Sequence, residues 1–145
     1  MIKKIYYKKK LYAIIIPKKF TTPGINFFTP DDYSQQIGYI NYKKGHKIIP
    51  HIHKKVSRII YQTNEVLFIK KGRIRIDFFE DNLKRNYFGS KILKTGDTIL
   101  IAKGGHGFEI LDNCEMIEVK QGPFLNTNVD KTKFQKEIKK IKIIK

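Results

Sequence analysis

The feature that most constrains this chain is an alternation of apolar and polar residues with a period of two, which recurs between glycine-containing turns. In the stretch RIRIDF, Ile74, Ile76 and Phe78 alternate with Arg75 and Asp77. Since successive side chains of a β-strand point to opposite faces, this spacing predicts strands with one buried face rather than helices. Seven or more such segments lie about ten residues apart, which predicts an all-β sandwich or barrel.

Three turn signals in the same region predict β-hairpins. Lys71-Gly72 separates two alternating stretches within 65–80, Thr95-Gly96-Asp97 separates two more, and the DNC sequence at 112–114 separates HGFEIL from MIEVKQ. Short turns rich in glycine, asparagine and aspartate favour hairpins. We therefore expect the strands on either side of each turn to pair with each other.

A chain of 145 residues has the usual size of one domain, so we predict a single domain over 1–145. Residues 1–35 are expected to form an N-terminal strand, within the stretch LYAIII, followed by an ordered loop. Residues 36–125 carry most of the alternating pattern and are expected to form the barrel. Residues 126–145 follow as a basic helix or tail.

The tail has a pattern of its own. Phe134, Ile138 and Ile141 are spaced at i, i+4 and i+7, with Asp130 or Thr132 as a possible N-cap. This spacing predicts a short basic helix over 130–145 with one narrow apolar stripe. We expect it to pack on the outside of the barrel, and a helix lying on a membrane surface is the alternative.

The formal charge of +17 lies mostly at the two ends of the chain. Residues 1–20 hold seven lysines and no acid, and residues 131–145 hold seven lysines against Glu137, which leaves a net charge of +4 between them. A nucleic-acid interface needs basic side chains on one face with aromatic residues among them. We therefore expect no nucleic-acid partner, and binding of polyanions through the lysine-rich ends is the alternative.

The cysteine count and the start of the chain bear on its compartment. Cys114 is the single cysteine, so it cannot form an internal disulfide, which suits a reducing environment. The apolar stretch LYAIII ends at Pro17 and is too short for a signal peptide core or a membrane span. We expect a soluble, cytoplasmic protein with no membrane partner, in which Cys114 is a small buried apolar residue.

Three of the four histidines, His46, His51 and His53, fall within the nine residues GHKIIPHIH, and His106 lies in the glycine-rich stretch KGGHGFE. On a strand, residues i and i+2 share a face, so His51 and His53 can direct two imidazoles at one point. Neutral imidazole is a common ligand of transition metals. His46 would not share that face, and we expect it at a turn or rim.

The surroundings of these histidines resemble the two sequence motifs of the cupin superfamily. The first motif is a glycine, an H-x-H pair, a glutamate and a further glycine, and its counterparts here are Gly45, His51, His53, Glu65 and Gly72. The second runs from a turn glycine through a five-residue strand to a final histidine, and its counterparts are Gly96, Gly104 and His106. Together the two motifs cover residues 45–110, nearly half of the chain.

The chain departs from the family pattern in three places. Eleven residues separate His53 from Glu65, where the family has three or four. Ala102 replaces the proline of the second motif, and one residue is missing before His106. The interval from Glu65 to Gly72 keeps its length, which supports Glu65, and Gln62 is the nearest alternative oxygen donor.

The resemblance implies a double-stranded β-helix, or jelly-roll barrel, that holds a divalent transition metal inside through His51, His53, Glu65 and His106. Such a ligand set leaves positions open for water or substrate. It does not choose among iron, manganese, nickel and zinc. The alternative is a metal-free barrel whose histidines only form hydrogen bonds in the interior.

Two further residues are candidates for catalysis. On the strand CEMIEVKQ, Glu118 and Lys120 share the face opposite Ile117 and Val119. If that face looks inward, an acid and a base lie near the metal and can transfer protons. In the alternative, Glu118 and Lys120 face solvent and only Ile117 and Val119 are buried.

The stretches GGHGFEIL and MIEVKQGPF are also similar to small stand-alone bacterial cupins associated with sugar-nucleotide and polysaccharide synthesis. This likeness implies a sugar-like substrate or an organic acid, and a metal-dependent enzyme of the isomerase, epimerase or dioxygenase type. A non-catalytic cupin that binds or senses a small molecule is the alternative. We expect a homodimer, because LYAIII suits an exchanged N-terminal strand and an outer sheet face is the other pairing surface of such barrels.

Overall fold

The computed structural model describes residues 1–123 and 126–145. Ten strands, β1 to β10, form nearly all of the regular structure in these ranges, and the all-β prediction is confirmed. The strands are β1 Lys3–Tyr7, β2 Lys10–Ile16, β3 Gly24–Phe27, β4 Gly38–Asn41, β5 Glu65–Lys71, β6 Arg73–Phe79, β7 Tyr87–Lys94, β8 Thr98–Ile101, β9 Gly105–Ile110 and β10 Glu115–Lys120. A single helical turn, α1 Thr127–Asp130, follows β10.

The strands form three antiparallel sheets. The larger sheet has five strands in the order β1-β2-β8-β5-β10, the smaller sheet has the order β7-β6-β9, and β3 and β4 form a separate ribbon. The N-terminal strand that was expected within LYAIII is β2, which pairs with β1 and with β8. The predicted end of the barrel, at residue 125, lies outside the described residues.

One apolar core lies between the larger and the smaller sheet. The alternation over 74–78 is confirmed, since Ile74, Ile76 and Phe78 are completely buried in this core. Ile69 of β5 and Ile99 of β8 come from the larger sheet to the same cluster. Burial of the inner faces of both sheets is the main stabilising contribution to such a sandwich.

The three predicted hairpins are wrong, because each predicted turn carries the chain from one sheet to the other. β5 and β6, on either side of Gly72, belong to different sheets, and the same holds for β7 with β8 and for β9 with β10. Gly72 and Gly96 have positive φ angles of 84° and 88°, a conformation that glycine adopts without strain. The same residue chemistry therefore serves a corner between sheets as well as a hairpin turn.

The outer face of the larger sheet is covered by residues that follow β2. Ile14 and Leu100 point to this face and are fully buried there, and aromatic side chains from 20–39 pack against them. Phe20 contacts both Phe28 and Tyr39 edge to face, with ring centroids 5.5 and 5.2 Å apart. Part of the region that was expected to be a loop is therefore strand β3, Gly24–Phe27, and the rest packs on the larger sheet.

The C-terminal helix predicted over 130–145 is wrong. Beyond α1 the described chain forms no helix, and the Ser90 and Ile144 amides donate hydrogen bonds of 2.7 and 2.8 Å to the carbonyls of Lys142 and Ser90. Ile144 packs against the core, so the last residues extend the smaller sheet at β7. Pairing with an open strand edge satisfies the same backbone groups that a helix would, and it also buries Ile144.

The two sheets meet along two seams, which differ. At the closed seam, β1 lies against β7: Tyr7 and Phe88 stack with ring centroids 4.3 Å apart, and Ile144 of the tail fills the gap beside Gly89. At the open seam, formed by the free edges of β9 and β10, the inward-facing Phe108 and Ile110 are 41% and 54% exposed. The interior-facing side chains of β9 are therefore accessible to solvent at the open seam.

Candidate functional site

Glu65 and His106 meet at the open seam, and they come from different sheets. Glu65 begins β5 and lies on the same face as the buried Leu67, and His106 pairs with Phe78 and so shares its inward face. His106 Nε2 lies 2.9 Å from Glu65 Oε2. Because an ionised carboxylate can only accept hydrogen bonds, Nε2 carries the proton in this contact.

The start of β5 is held firmly, which fixes the position of the Glu65 side chain. Asn64 is buried, and its side-chain amide donates a 2.9 Å hydrogen bond to the carbonyl of Ala102. The backbone carbonyl of Asn64 accepts a 3.0 Å hydrogen bond from the Gln121 amide. Residues at a functional site need this kind of support to keep their geometry.

Glu65 is a buried carboxylate with two neighbours: the His106 ring, which donates a hydrogen bond, and the Lys131 ammonium group. The hydrogen bond from His106 lowers the pKa of the Glu65 carboxyl, burial opposes this, and the nearby Lys131 ammonium lowers it further. Lys131 Nζ lies 3.6 Å from Glu65 Oε1, so each carboxylate oxygen has its own partner. The carboxylate is therefore held in its ionised form although its side chain is only 8% exposed.

The second ring nitrogen of His106 has no partner. His106 Nδ1 is buried and makes no hydrogen bond within the described parts of the chain. A buried imidazole nitrogen without a partner costs stability, and such groups are concentrated at functional sites. The ring also contacts Phe108 edge to face, with centroids 5.4 Å apart, which limits its rotation.

A cleft of about 1590 Å³ opens at this pair of residues. Its walls come from β5, from β9, from the residues just before Glu65 and from the tail beyond α1. The side chains that line it nearest to the pair include Gln62, Phe108, Gln121, Lys131 and Phe134. A cleft with mixed polar and apolar walls and a few converging charged groups is typical of a small-molecule site.

His51 and His53 do not reach the Glu65–His106 pair. Both lie in residues 42–63, a segment without strand or helix in which every residue is exposed. Within 1–123 and 126–145 there is no group of three or more histidine, cysteine or acidic side chains close enough to hold a metal. His46, which was expected at a turn or rim, lies in the same segment and stacks on Tyr42.

Each half of the predicted ligand set nevertheless has a geometry that fits a metal. Two ligand atoms at right angles around an ion, each bonded at about 2.0–2.2 Å, lie about 3 Å apart, which matches the 2.9 Å between His106 Nε2 and Glu65 Oε2. Two imidazoles on one ion have ring centroids roughly 4.6–5.3 Å apart, and those of His51 and His53 are 5.3 Å apart. His51 Nδ1 lies 3.0 Å from the carbonyl of Ile49, which leaves Nε2 for a ligand, as in known metal sites.

Glu118 and Lys120 lie on the inner face of the larger sheet. They stand opposite Leu67 and Glu65 in the pairing of β10 with β5, so their side chains share the face of those inward-pointing residues. Ile117 and Val119 point to the other face and are 53% and 55% exposed, while Glu118 is also exposed and Lys120 is half-buried, so neither pair is fully buried. The predicted role of Glu118 and Lys120 in proton transfer stays a prediction.

The sequence reading missed the contribution of the tail to this site. Lys131 contacts Glu65, and Phe134 packs edge to face on Phe79 with centroids 5.2 Å apart. A side chain at Gly105, next to His106, would collide with the Phe134 ring, so this glycine permits the contact. The sequence gives no signal that distinguishes Lys131 from the other lysines of the tail. The helical spacing of Phe134, Ile138 and Ile141 predicted contacts through an apolar helix face, which does not include Lys131.

Comparison of the chain with protein-family models, with curated proteins and with solved structures finds no match. In the part of the chain that the structure describes, no helix has the length and apolar character needed to cross a membrane.

Proposed function

We propose that this protein is a cupin-type, metal-binding enzyme that acts on a sugar-like molecule or an organic acid. The observation that carries the proposal is the Glu65–His106 pair, which is contributed by two different sheets and lies inward at the open seam. These are the residues at which the first and the second cupin-like motif would meet. Their 2.9 Å separation fits two ligands of one divalent ion.

The course of the chain supports a double-stranded β-helix as the finer description of the fold. From β5 to β10 the strands are placed in the larger, smaller, smaller, larger, smaller and larger sheet. A chain that repeatedly crosses between two facing sheets is the defining property of jelly-roll folds. The glycines at 72, 96 and 104, all with positive φ, stand at three of the four crossings.

Completion of the site requires residues 42–63 to fold onto the open seam. This segment exposes an unusual number of large apolar side chains for a soluble protein, namely Ile48, Ile49, Ile52, Val56, Ile59, Ile60 and Tyr61. The free edges of β9 and β10 offer unpaired backbone groups, and Phe108 and Ile110 offer apolar surface. As a strand on this seam, the segment would turn His51 and His53 to one face and Ile52 to the other.

The proposed chemistry assigns a separate task to each residue. His51, His53, Glu65 and His106 would hold the ion, which when bound supplies a Lewis acid for adjacent substrate oxygens. The Glu118 carboxylate would accept a proton from the substrate, and Lys120 Nζ would return one. Lys120 stands directly across from Glu65 in the strand pairing, so its side chain is within reach of a molecule held there.

Metal analysis of untagged protein tests the first part of this proposal. We expect about one equivalent of a divalent transition metal per chain, lost on His51→Ala and on His106→Ala although both variants fold. Anomalous scattering from crystals should place the ion beside Glu65. Protein that contains no ion, and that does not bind added Ni²⁺, Zn²⁺, Mn²⁺ or Fe²⁺, would contradict the proposal.

A protein that binds a small molecule without turning it over is the second candidate. The observation that favours it is the cleft of about 1590 Å³, which exists while His51 and His53 are still remote. Stabilisation by a sugar or organic acid, with no product formed in the presence of bound metal, supports this candidate. Product formation that His51→Ala abolishes supports the enzyme.

We also propose a homodimer in the cytoplasm. Phe68 and Ile117 pair across β5 and β10 on the outer face of the larger sheet, with Val119 beside them, and all three are exposed. Such a flat apolar patch suits a symmetric contact with a second copy. Sedimentation should show a dimer that Ile117→Lys converts to a monomer, and an unchanged dimer in that variant would exclude this surface.

A further inference from the structure

Lys131, in the tail, reaches the carboxylate at the centre of the site. Its ammonium nitrogen lies 3.6 Å from Glu65 Oε1, while His106 takes Oε2. Each oxygen of the Glu65 carboxylate thus has one positively charged or hydrogen-bonding neighbour, the Lys131 ammonium on Oε1 and the His106 ring on Oε2. A divalent ion that binds Glu65 must share this carboxylate with a positive charge a few ångströms away.

Contacts of Phe134, and hydrogen bonds near the end of the tail, hold the segment that carries Lys131 beside Glu65. Phe134, three residues later, packs on Phe79 and against Gly105, the residue before His106. The Arg85 guanidinium lies 4.8 Å from the centre of the Phe134 ring. The far end of the tail is fixed by the backbone hydrogen bonds of Ser90 with Lys142 and Ile144. The tail that carries Lys131 is therefore held in place by contacts that do not depend on the Lys131–Glu65 ion pair.

We infer that Lys131 is a positioning residue of this site, whose ammonium group holds Glu65 until a divalent metal ion displaces it. This inference rests on the proposed metal binding and adds to it a residue that the metal must compete with. Like charges repel at this distance in a partly buried site, so metal binding and the Lys131–Glu65 contact weaken each other. The displaced ammonium would remain at the wall of the cleft, where Lys131 is already one of the lining residues.

The test is calorimetric titration of the full-length, metal-free protein with Ni²⁺. Lys131→Met removes the charge and keeps much of the side-chain volume, and we expect it to bind Ni²⁺ about 3- to 10-fold more tightly than the wild type. Lys131→Arg should bind as the wild type does. Lys139→Met removes the same charge from an exposed position of the same tail and should change the affinity by less than twofold. The difference between Lys131→Met and the wild type should shrink as the salt concentration rises.

The outcomes separate the two proposals. If the wild type and Lys131→Met bind Ni²⁺ with equal affinity, or if Lys139→Met strengthens binding as much as Lys131→Met, the role of Lys131 is wrong while the metal site stands. If none of these proteins binds Ni²⁺, the proposed metal site is wrong and the role of Lys131 falls with it. Thermal unfolding of each variant establishes that it folds, and the exposed positions of both lysines make folding of the variants the expected result.

Discussion

The closed and open seams of this sandwich are built from the same kinds of strands, but they differ in how completely the inward-facing apolar side chains are covered. Along β6, Ile74 is flanked by Leu93 of β7 on the closed side and by Ile110 of β9 on the open side. Leu93 is 1% exposed and Ile110 is 54% exposed, although both point to the interior. At the closed seam the chain covers its own core, whereas at the open seam it leaves apolar surface uncovered beside the hydrogen-bonded Glu65–His106 pair.

The difference shows that apolar residues on the inward face of β9 are incompletely covered, and the proposed binding of a metal and a small molecule would take place at this seam. Monomeric proteins rarely leave a continuous apolar surface open without a function for it. The tail closes one seam with Ile144, and the 42–63 segment contains the apolar residues that could close the other. Stability is concentrated at the first seam, and the proposed function at the second.

The largest expected effect on the free energy of unfolding comes from replacing the two neighbours of Ile74, Leu93 or Ile110, with alanine. Leu93→Ala should reduce the free energy of unfolding by about 2–5 kcal/mol, because it leaves a cavity in a close-packed core. Ile110→Ala should cost less than about 1 kcal/mol in metal-free protein, because half of that side chain is already in solvent. Urea unfolding of both variants gives the comparison, and equal losses would show that the two seams are equally covered.

The next effect concerns the tail at the closed seam. Ile144→Ala should lower the free energy of unfolding by about 1–2 kcal/mol, since this side chain is partly buried against the core. Ile141→Ala, at a position of the same tail that is 48% exposed, should change it by less than about 0.5 kcal/mol. Thermal or urea unfolding decides this, and a loss for Ile141→Ala as large as that for Ile144→Ala would contradict the assigned contact.

The smallest effect is a change in the acid dependence of stability on the closed side. Hydrogen bonds from Lys8, Asn82 and Asn86 hold the pKa of Glu80 at about 2, with the bond from Lys8 the strongest cause. Because the folded pKa lies below the usual value, this contribution is present above about pH 4.5 and is lost as the pH falls towards 2. Glu80→Gln should flatten the loss of stability in that window and leave the slope near neutral pH unchanged, as measured by urea unfolding at several pH values. If Glu80→Gln loses stability between about pH 4.5 and 2 as steeply as the wild type does, other carboxyl groups cause that loss.

The fold class could be predicted from the sequence because the alternation of residues such as Ile74, Arg75 and Ile76 is a local property of a half-buried strand. The pairing partners could not. Gly72 and its neighbours look like a hairpin turn, but β5 pairs with β8 and β10, which lie far along the chain. Which edge a strand joins depends on the closure of the whole sandwich, and a turn sequence carries no information about that.

The candidate site, like the fold, could be predicted from the sequence only in part. The meeting of Glu65 and His106 was expected from the resemblance of two motifs, and the structure brings these two together at 2.9 Å. His51 and His53 were expected to share one face of a strand, but they lie in an exposed segment without strand structure, apart from Glu65. Lys131 was missed because its place beside Glu65 results from a tail that is not helical, whereas the spacing of Phe134, Ile138 and Ile141 favours a helix in isolation.

The most direct test of the account is amide hydrogen exchange across residues 46–62, measured with and without Ni²⁺. In the metal-free protein these exposed amides should exchange rapidly, whereas those of β6 should be strongly protected. We predict that Ni²⁺ slows exchange over 48–62 and along β9 by at least about tenfold, and that His51→Ala abolishes the effect. Unchanged exchange of this segment in protein shown by calorimetry to hold Ni²⁺ would contradict closure of the open seam by the metal.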